Sequence, residues 1–107
     1  MAAVNEWNME AFADATASGV AMADFYAVWC GPCKSMMSVL EKVAGSFSDE
    51  AVKIGKVNIE ECPELTKKFQ VRTVPTFIVF KDGEVQTRLV GVTTQAALTE
   101  ALRKAMQ

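Results

Sequence analysis

The run Val20 to Val28 (VAMADFYAV) is apolar almost without interruption, and it narrows the possible folds more than any other feature of the chain. A strand with one wet face alternates polar and apolar residues, whereas a strand covered on both faces reads as a continuous apolar block. The run therefore predicts a central strand with helices on either side. The next segment supplies one of them. From Pro32 onward Met36, Leu40, Val43 and Phe47 recur at helical spacing, with Lys34, Ser38, Glu41 and Lys42 between them. That pattern predicts an amphipathic helix ending around Gly45 to Ser48.

The flanking segments extend the alternation of strand and helix. Asn8 is placed to cap a short helix through about Ala17, with Met9, Phe12 and Ala13 on one side, and Ser18-Gly19 stops it. Val52 to Ile59 reads as a second central strand, and Pro63 suits the first position of a short helix carrying Leu65 and Phe69. Thr76 to Phe80, Lys81-Asp82-Gly83-Glu84 and Val85 to Val90 form a hairpin signature, because Asp-Gly between two strand-like runs favours the tight turn. Gly91 breaks the last strand. Thr94 begins a C-terminal helix with Leu98, Ala101, Leu102 and Ala105 as its buried stripe. With a strand or extended start, two β-α-β crossovers and a hairpin imply an α/β fold. Its mixed sheet has four to five strands, with about four helices on both faces.

A chain of 107 residues fits a single domain over 1–107 and buries about two-thirds of its open-chain surface. Half of the residues are hydrophobic, which excludes a disordered tail. The net charge of −2 offers no basic excess for nucleic acid. No segment approaches the ~20 apolar residues that cross a bilayer, and Met1 to Asn8 lacks the pattern of a secretory signal. These features predict a cytoplasmic chain with no membrane partner. Histidine is absent, which removes histidine bases, Ser/His and Cys/His nucleophiles and His-containing zinc sites. Chemistry is left to Cys, Asp/Glu, Lys, Ser/Thr or Tyr.

Trp29-Cys30-Gly31-Pro32-Cys33-Lys34 (WCGPCK) lies where the central strand gives way to the helix, the place where active sites collect in open α/β sheets. Cysteines at i and i+3 of a helical turn bring their Cα atoms to about the 5–6 Å of a disulfide. Cys30 sits ahead of the first turn, where free amides and the positive dipole end stabilise a thiolate. Gly31 relieves crowding, and Pro32 pre-sets the helical φ without wasting a donor. So short a ring restrains little unfolded-chain entropy, so redox chemistry is favoured over a structural staple. Zinc prefers four ligands, and three thiols without imidazole supply one too few. Asp24, inside a double-covered strand, is expected to have its pKa raised by desolvation unless it reaches water at the strand end.

These residues resemble the thioredoxin family. WCGPCK is the family's active-site motif, preceded by Asp24-Phe25-Tyr26-Ala27. It is followed in order by Lys56-Val57-Asn58, Val74-Pro75-Thr76, Lys81-Asp82-Gly83-Glu84-Val85 and Val90-Gly91. The matches run from about Phe12 to Leu102. The resemblance implies a thioredoxin fold and a dithiol–disulfide oxidoreductase that reduces disulfides in client proteins. It also implies no cofactor beyond a Cys30–Cys33 disulfide, recharging by a thioredoxin reductase, and a monomer. Cys30 is then the exposed nucleophile and Cys33, one turn deeper, resolves the mixed disulfide. Asp24 matches the family's buried proton acceptor, and Lys56, sharing strand parity with Val52 and Ile54, is placed inward near it; alone it reads as a snorkelling surface lysine. Pro75 matches the cis-proline facing the cysteines, and Val74 offers its backbone to an extended substrate segment. Trp29, Gly31, Pro32, Val74, Pro75, Gly91 and Val92 form the implied docking surface.

The chain departs from the family pattern at several positions. Ser38 replaces a common helix-kinking proline, which predicts a straighter helix. Ala21 and Ala23 are smaller than the usual branched residues, with Met22 expected to fill the difference. Cys62 is an extra thiol before Pro63, read as a small half-buried residue in preference to one activated by a helix terminus. Two other functions compete with the leading reading: a binding or chaperone subunit whose dithiol is idle, and metal binding through Cys30, Cys33 and Cys62.

Overall fold

The computed structural model describes residues 1–107. Along the chain run β1 (Val4–Glu6), α1 (Met9–Thr16), β2 (Val20–Tyr26), α2 (Gly31–Gly45) and β3 (Val52–Asn58). They are followed by α3 (Pro63–Lys68), β4 (Thr76–Lys81), β5 (Glu84–Val90) and α4 (Gln95–Ala105). The sheet order is β1-β3-β2-β4-β5. β1, β3 and β2 are parallel, and β4 and β5 return antiparallel. The extended start is thus a true edge strand, and the sheet is the mixed one expected.

β2 lies at the middle, and Val20 to Phe25 are buried without a break. Its side chains divide by parity between two cores. Val20 and Met22 join Ile54 and Phe77 beneath Met36, Leu40 and Val43 of α2 and Leu98 and Leu102 of α4. Ala21, Ala23 and Phe25 face Phe12 of α1, Leu65 of α3 and Trp7. Alternation also corrects the expectation for Met22, which points away from both alanines. The space over Ala21 and Ala23 is filled by aromatic rings instead: Phe12 and Phe69 each pack edge-on to Phe80, at 5.5 and 5.4 Å between centroids. Gly55 on β3 permits the close approach of Trp7, because a Cβ there would lie 2.1 Å from the indole ring.

The termini of the elements follow local chemistry. Asn8 Oδ1 accepts from the Ala11 amide at 2.8 Å, and Thr94 Oγ1 accepts from the Ala97 amide at 3.1 Å. Asp82 and Gly83 both adopt positive φ, 50° and 85°, the geometry that matches a two-residue turn to strand twist. The Asp82 carboxylate also accepts from the Gly19 amide at 2.8 Å, tying the hairpin to the turn before β2. In α1 the buried face is Phe12 and Thr16, while Met9 and Ala13 face solvent, contrary to the sequence reading. Thr16 can be buried because its hydroxyl donates to the Phe12 carbonyl at 2.9 Å. Helix α2 runs unbroken through an exposed Ser38. No helix is long and apolar enough to cross a membrane.

Candidate active site

The chain leaves β2 at Tyr26 and enters α2 at Gly31, with Cys30 as the N-cap residue in extended conformation. Cys30 Sγ accepts a hydrogen bond from the Cys33 amide at 3.1 Å. A helix N-terminus normally takes a side-chain oxygen in that place; here the acceptor is sulfur. The same amide and the dipole end that cap the disulfide sulfur favour negative charge on it once reduced. Cys30 and Cys33 are joined as a disulfide with Cα atoms 5.3 Å apart, as the i, i+3 spacing requires.

Cys30 departs from its expected exposure. It is buried, with 5% of its surface accessible against 2% for Cys33. Its sulfur is covered by its bonded partner and by Val74, whose carbonyl oxygen lies 3.7 Å away. Val74 is followed by the cis Val74–Pro75 bond. The loop around it is held by the Thr76 hydroxyl donating to the Thr73 carbonyl and the Gly91 amide donating to the Pro75 carbonyl at 2.7 Å. Neither the N–H nor the C=O of Val74 has a backbone partner. The fold thus brings Cys30, Val74, Pro75 and Gly91 together, with Trp29 and Val92 adjoining and both 65% exposed. Gly31 and Pro32 are exposed on the same helix start. Val28 is 59% exposed; the apolar run predicts it inside a covered strand, but β2 ends two residues earlier.

Asp24 is completely buried, and neither carboxylate oxygen has a hydrogen-bond partner. Desolvation drives its pKa up to about 7, with Lys56 pulling it down and Glu6 pushing it up. The strand-end alternative, in which Asp24 reaches water, is excluded. Lys56 is its register partner across β2 and β3, yet the expected close pairing is absent. The Lys56 ammonium lies 3.8 Å from Glu6 and 5.1 Å above the Tyr26 ring. The Tyr26 hydroxyl donates to both Glu6 carboxylate oxygens, at 2.7 and 2.9 Å. Burial and this bond push the Tyr26 hydroxyl pKa up. A cleft of about 220 Å³ lined by Tyr26, Val28, Cys33, Lys34 and Lys56 opens beside the inner cysteine. Sequence reasoning missed Glu6 and Tyr26; the signal was the parity of β1, which is visible only once that short segment is known to pair.

Cys62 lies apart from the pair, among Trp7, Phe12 and Leu65. Its Sγ is 4.0 Å from the Trp7 carbonyl and caps no amide of α3. Burial, with Glu61, Glu6 and Glu64 nearby, pushes its pKa up. The activated-thiol reading is therefore overturned, and the residue is buried more fully than half. No three Cys, Asp or Glu side chains converge at metal-binding distances, so the three-thiol site is not assembled.

A disulfide closed across the first turn of a helix, beside an unpaired backbone segment and an apolar rim, defines a thiol–disulfide oxidoreductase. The thioredoxin family model matches residues 3–104. A thioredoxin of Staphylococcus saprophyticus is 44% identical over 93 residues, covering 87% of this chain and 88% of that one. A thioredoxin of Bacillus subtilis is 41% identical over 95 residues, covering 89% and 90%. Among solved structures, Malassezia sympodialis thioredoxin superposes with a TM-score of 0.88 at 29% identity, covering 98% of this chain and 92% of that one. A mutant thioredoxin of Halobacterium salinarum superposes at 0.85 and 31% identity, covering 97% and 90%. The chain belongs to the thioredoxin family. It is a protein-disulfide reductase working through the Cys30–Cys33 pair.

Proposed function

We propose that Cys30 is the nucleophile, Cys33 the resolving thiol and Asp24 the proton acceptor for Cys33. The observation that carries this assignment is Cys30 Sγ seated as the N-cap of α2, receiving the Cys33 amide. In the reduced protein the Cys30 thiolate attacks one sulfur of a client disulfide. That bond breaks, one client sulfur leaves and takes a proton, and a mixed disulfide forms. Cys33 then loses its proton to the Asp24 carboxylate and attacks Cys30 Sγ. The second client sulfur leaves as a thiolate and takes up the proton that Asp24 received. Two electrons and two protons have passed to the client, and Cys30–Cys33 is oxidised. Lys56 moderates the charge on Asp24 from across the β2–β3 pairing.

The client segment docks in extended form against the free N–H and C=O of Val74, adding a short strand pairing. Trp29, Gly31, Pro32, Pro75, Gly91 and Val92 supply the surrounding contacts. Residues 1–107 act as one domain and as a monomer in the cytoplasm, recharged by a thioredoxin reductase. No group besides the cysteine pair carries electrons.

Reduction of insulin disulfides, driven by dithiothreitol or a thioredoxin reductase, tests the assignment. Wild-type protein accelerates it, Cys30→Ser abolishes the acceleration, and Cys33→Ser accumulates a mixed disulfide through Cys30. Retained turnover in Cys30→Ser overturns the nucleophile assignment. An inactive wild type favours the idle-dithiol binding subunit instead.

A further inference from the structure

Three side chains of alternating charge form one row across the sheet. Glu6 on β1, Lys56 on β3 and Asp24 on β2 are successive register partners, and parity places them on one face. Exposure rises along the row, from a sealed Asp24 to Lys56 at 29% and Glu6 at 48%. The central ammonium has a carboxylate on either side and makes its ion pair with the outer one, Glu6, at 3.8 Å. Tyr26 fixes that choice. Its hydroxyl holds both Glu6 oxygens, and its ring faces the Lys56 ammonium. A charge-assisted hydrogen bond and an aromatic face together make a seat for Lys56 near solvent, at lower desolvation cost than a buried pair with Asp24.

We propose that Glu6 is a positioning residue for thiol exchange: clamped by Tyr26, it holds the Lys56 ammonium at the rim of the Cys33 cleft and keeps it from closing an ion pair with Asp24. This rests on the reading of Asp24 as the proton acceptor. An ion-paired carboxylate is a weak base, whereas an unpaired buried one takes up and releases a proton near neutral pH. The charged groups acting on Asp24 come from the neighbouring strands, Lys56 on β3 and Glu6 on β1. Tyr26 lies two residues on in β2, and Cys33 and Lys34 of α2 line the cleft that Tyr26 and Lys56 also line. Phe77, the partner of Asp24 on β4, carries no titratable group, nor do Leu98 and Leu102 of α4.

Two measurements test the clamp: the carbon-13 NMR titration of the Asp24 carboxyl, and the pH profile of mixed-disulfide resolution by Cys33. Glu6→Gln is expected to lower the Asp24 midpoint by about half a pH unit or more, with the acidic limb of the rate profile moving by the same amount. Tyr26→Phe moves both in the same direction by less. Glu6→Asp, which keeps the charge, restores most of the wild-type midpoint. In a Lys56→Met background the Glu6→Gln shift falls to less than about half, because the effect travels through Lys56. An unmoved midpoint, or equal shifts in both backgrounds, overturns the proposal. A midpoint that moves while the rate profile stays put leaves the clamp standing and removes Asp24 from the reaction.

Discussion

Two helices of this protein begin with a cysteine followed closely by a proline, and only one of those cysteines is equipped for chemistry. At α2, Cys30 is the N-cap, and its sulfur accepts the Cys33 amide. At α3, Cys62 is also the N-cap residue, with Pro63 in the first turn, but its sulfur caps nothing. Its backbone sits at φ −124° and ψ 62°, whereas Cys30 has the extended ψ of 110°, so its sulfur turns inward to the Trp7 carbonyl. The carboxylates differ as well. The acid beneath α2 is Asp24, buried and half-neutralised near pH 7. Around Cys62 stand Glu61, Glu6 and Glu64, which oppose ionisation of the thiol. The contrast teaches that a helix N-terminus activates a thiol only when the cap geometry aims amides at sulfur and the neighbouring acids do not cancel the dipole.

The largest test of this contrast is removal of each sulfur in turn. Cys30→Ser should cost more than about a thousandfold in insulin reduction, and Cys62→Ala should leave the rate unchanged. Next is the buried acid. Asp24 binds its proton more tightly folded than unfolded, so stability falls as pH rises from 3.8 towards about 7 and is level above. Asp24→Ala should remove that fall and stabilise the protein at pH 8 by on the order of 4 kcal/mol, with the gain vanishing below pH 4; denaturant melts at the two pH values check it. Third, alkylation of the reduced native protein at pH 7 should be about a hundredfold faster at Cys30 than at Cys62, a ratio set by thiolate fraction and access. Comparable rates would erase the distinction. Smaller still, Cys62→Ala should lower stability by about 1 kcal/mol through a small cavity. Least of all, Glu61→Gln should lower the Cys62 pKa by removing one repelling carboxylate, and less in high salt.

Much of the fold was legible because its signals are local. The continuous apolar run marked β2, the Asp82-Gly83 pair marked the hairpin, and Asn8 and Thr94 marked helix starts within a residue. The reading failed where one face had to be chosen without knowing its neighbour. The sequence places Met9 and Ala13 inward on α1, but it is Phe12 that packs on the rings of Phe69 and Phe80, with Ala11 and Ala15 beside it. At the site, the i, i+3 cysteines carried their own geometry. The inward lysine did not, since its partner Glu6 lies on a three-residue edge strand too short to show a period.

The amino-acid order by itself determined the two sulfurs, their spacing, the helix start that holds them and the strand that buries Asp24. Those depend on backbone preferences and periodicity within a few residues. Tertiary structure alone decided that Val74, 44 residues away, covers Cys30, that Lys56 leans to Glu6, and that Cys62 is sealed from water against Trp7. Burial and Coulomb energies depend on what the fold brings near, and sequence separation carries no record of that distance.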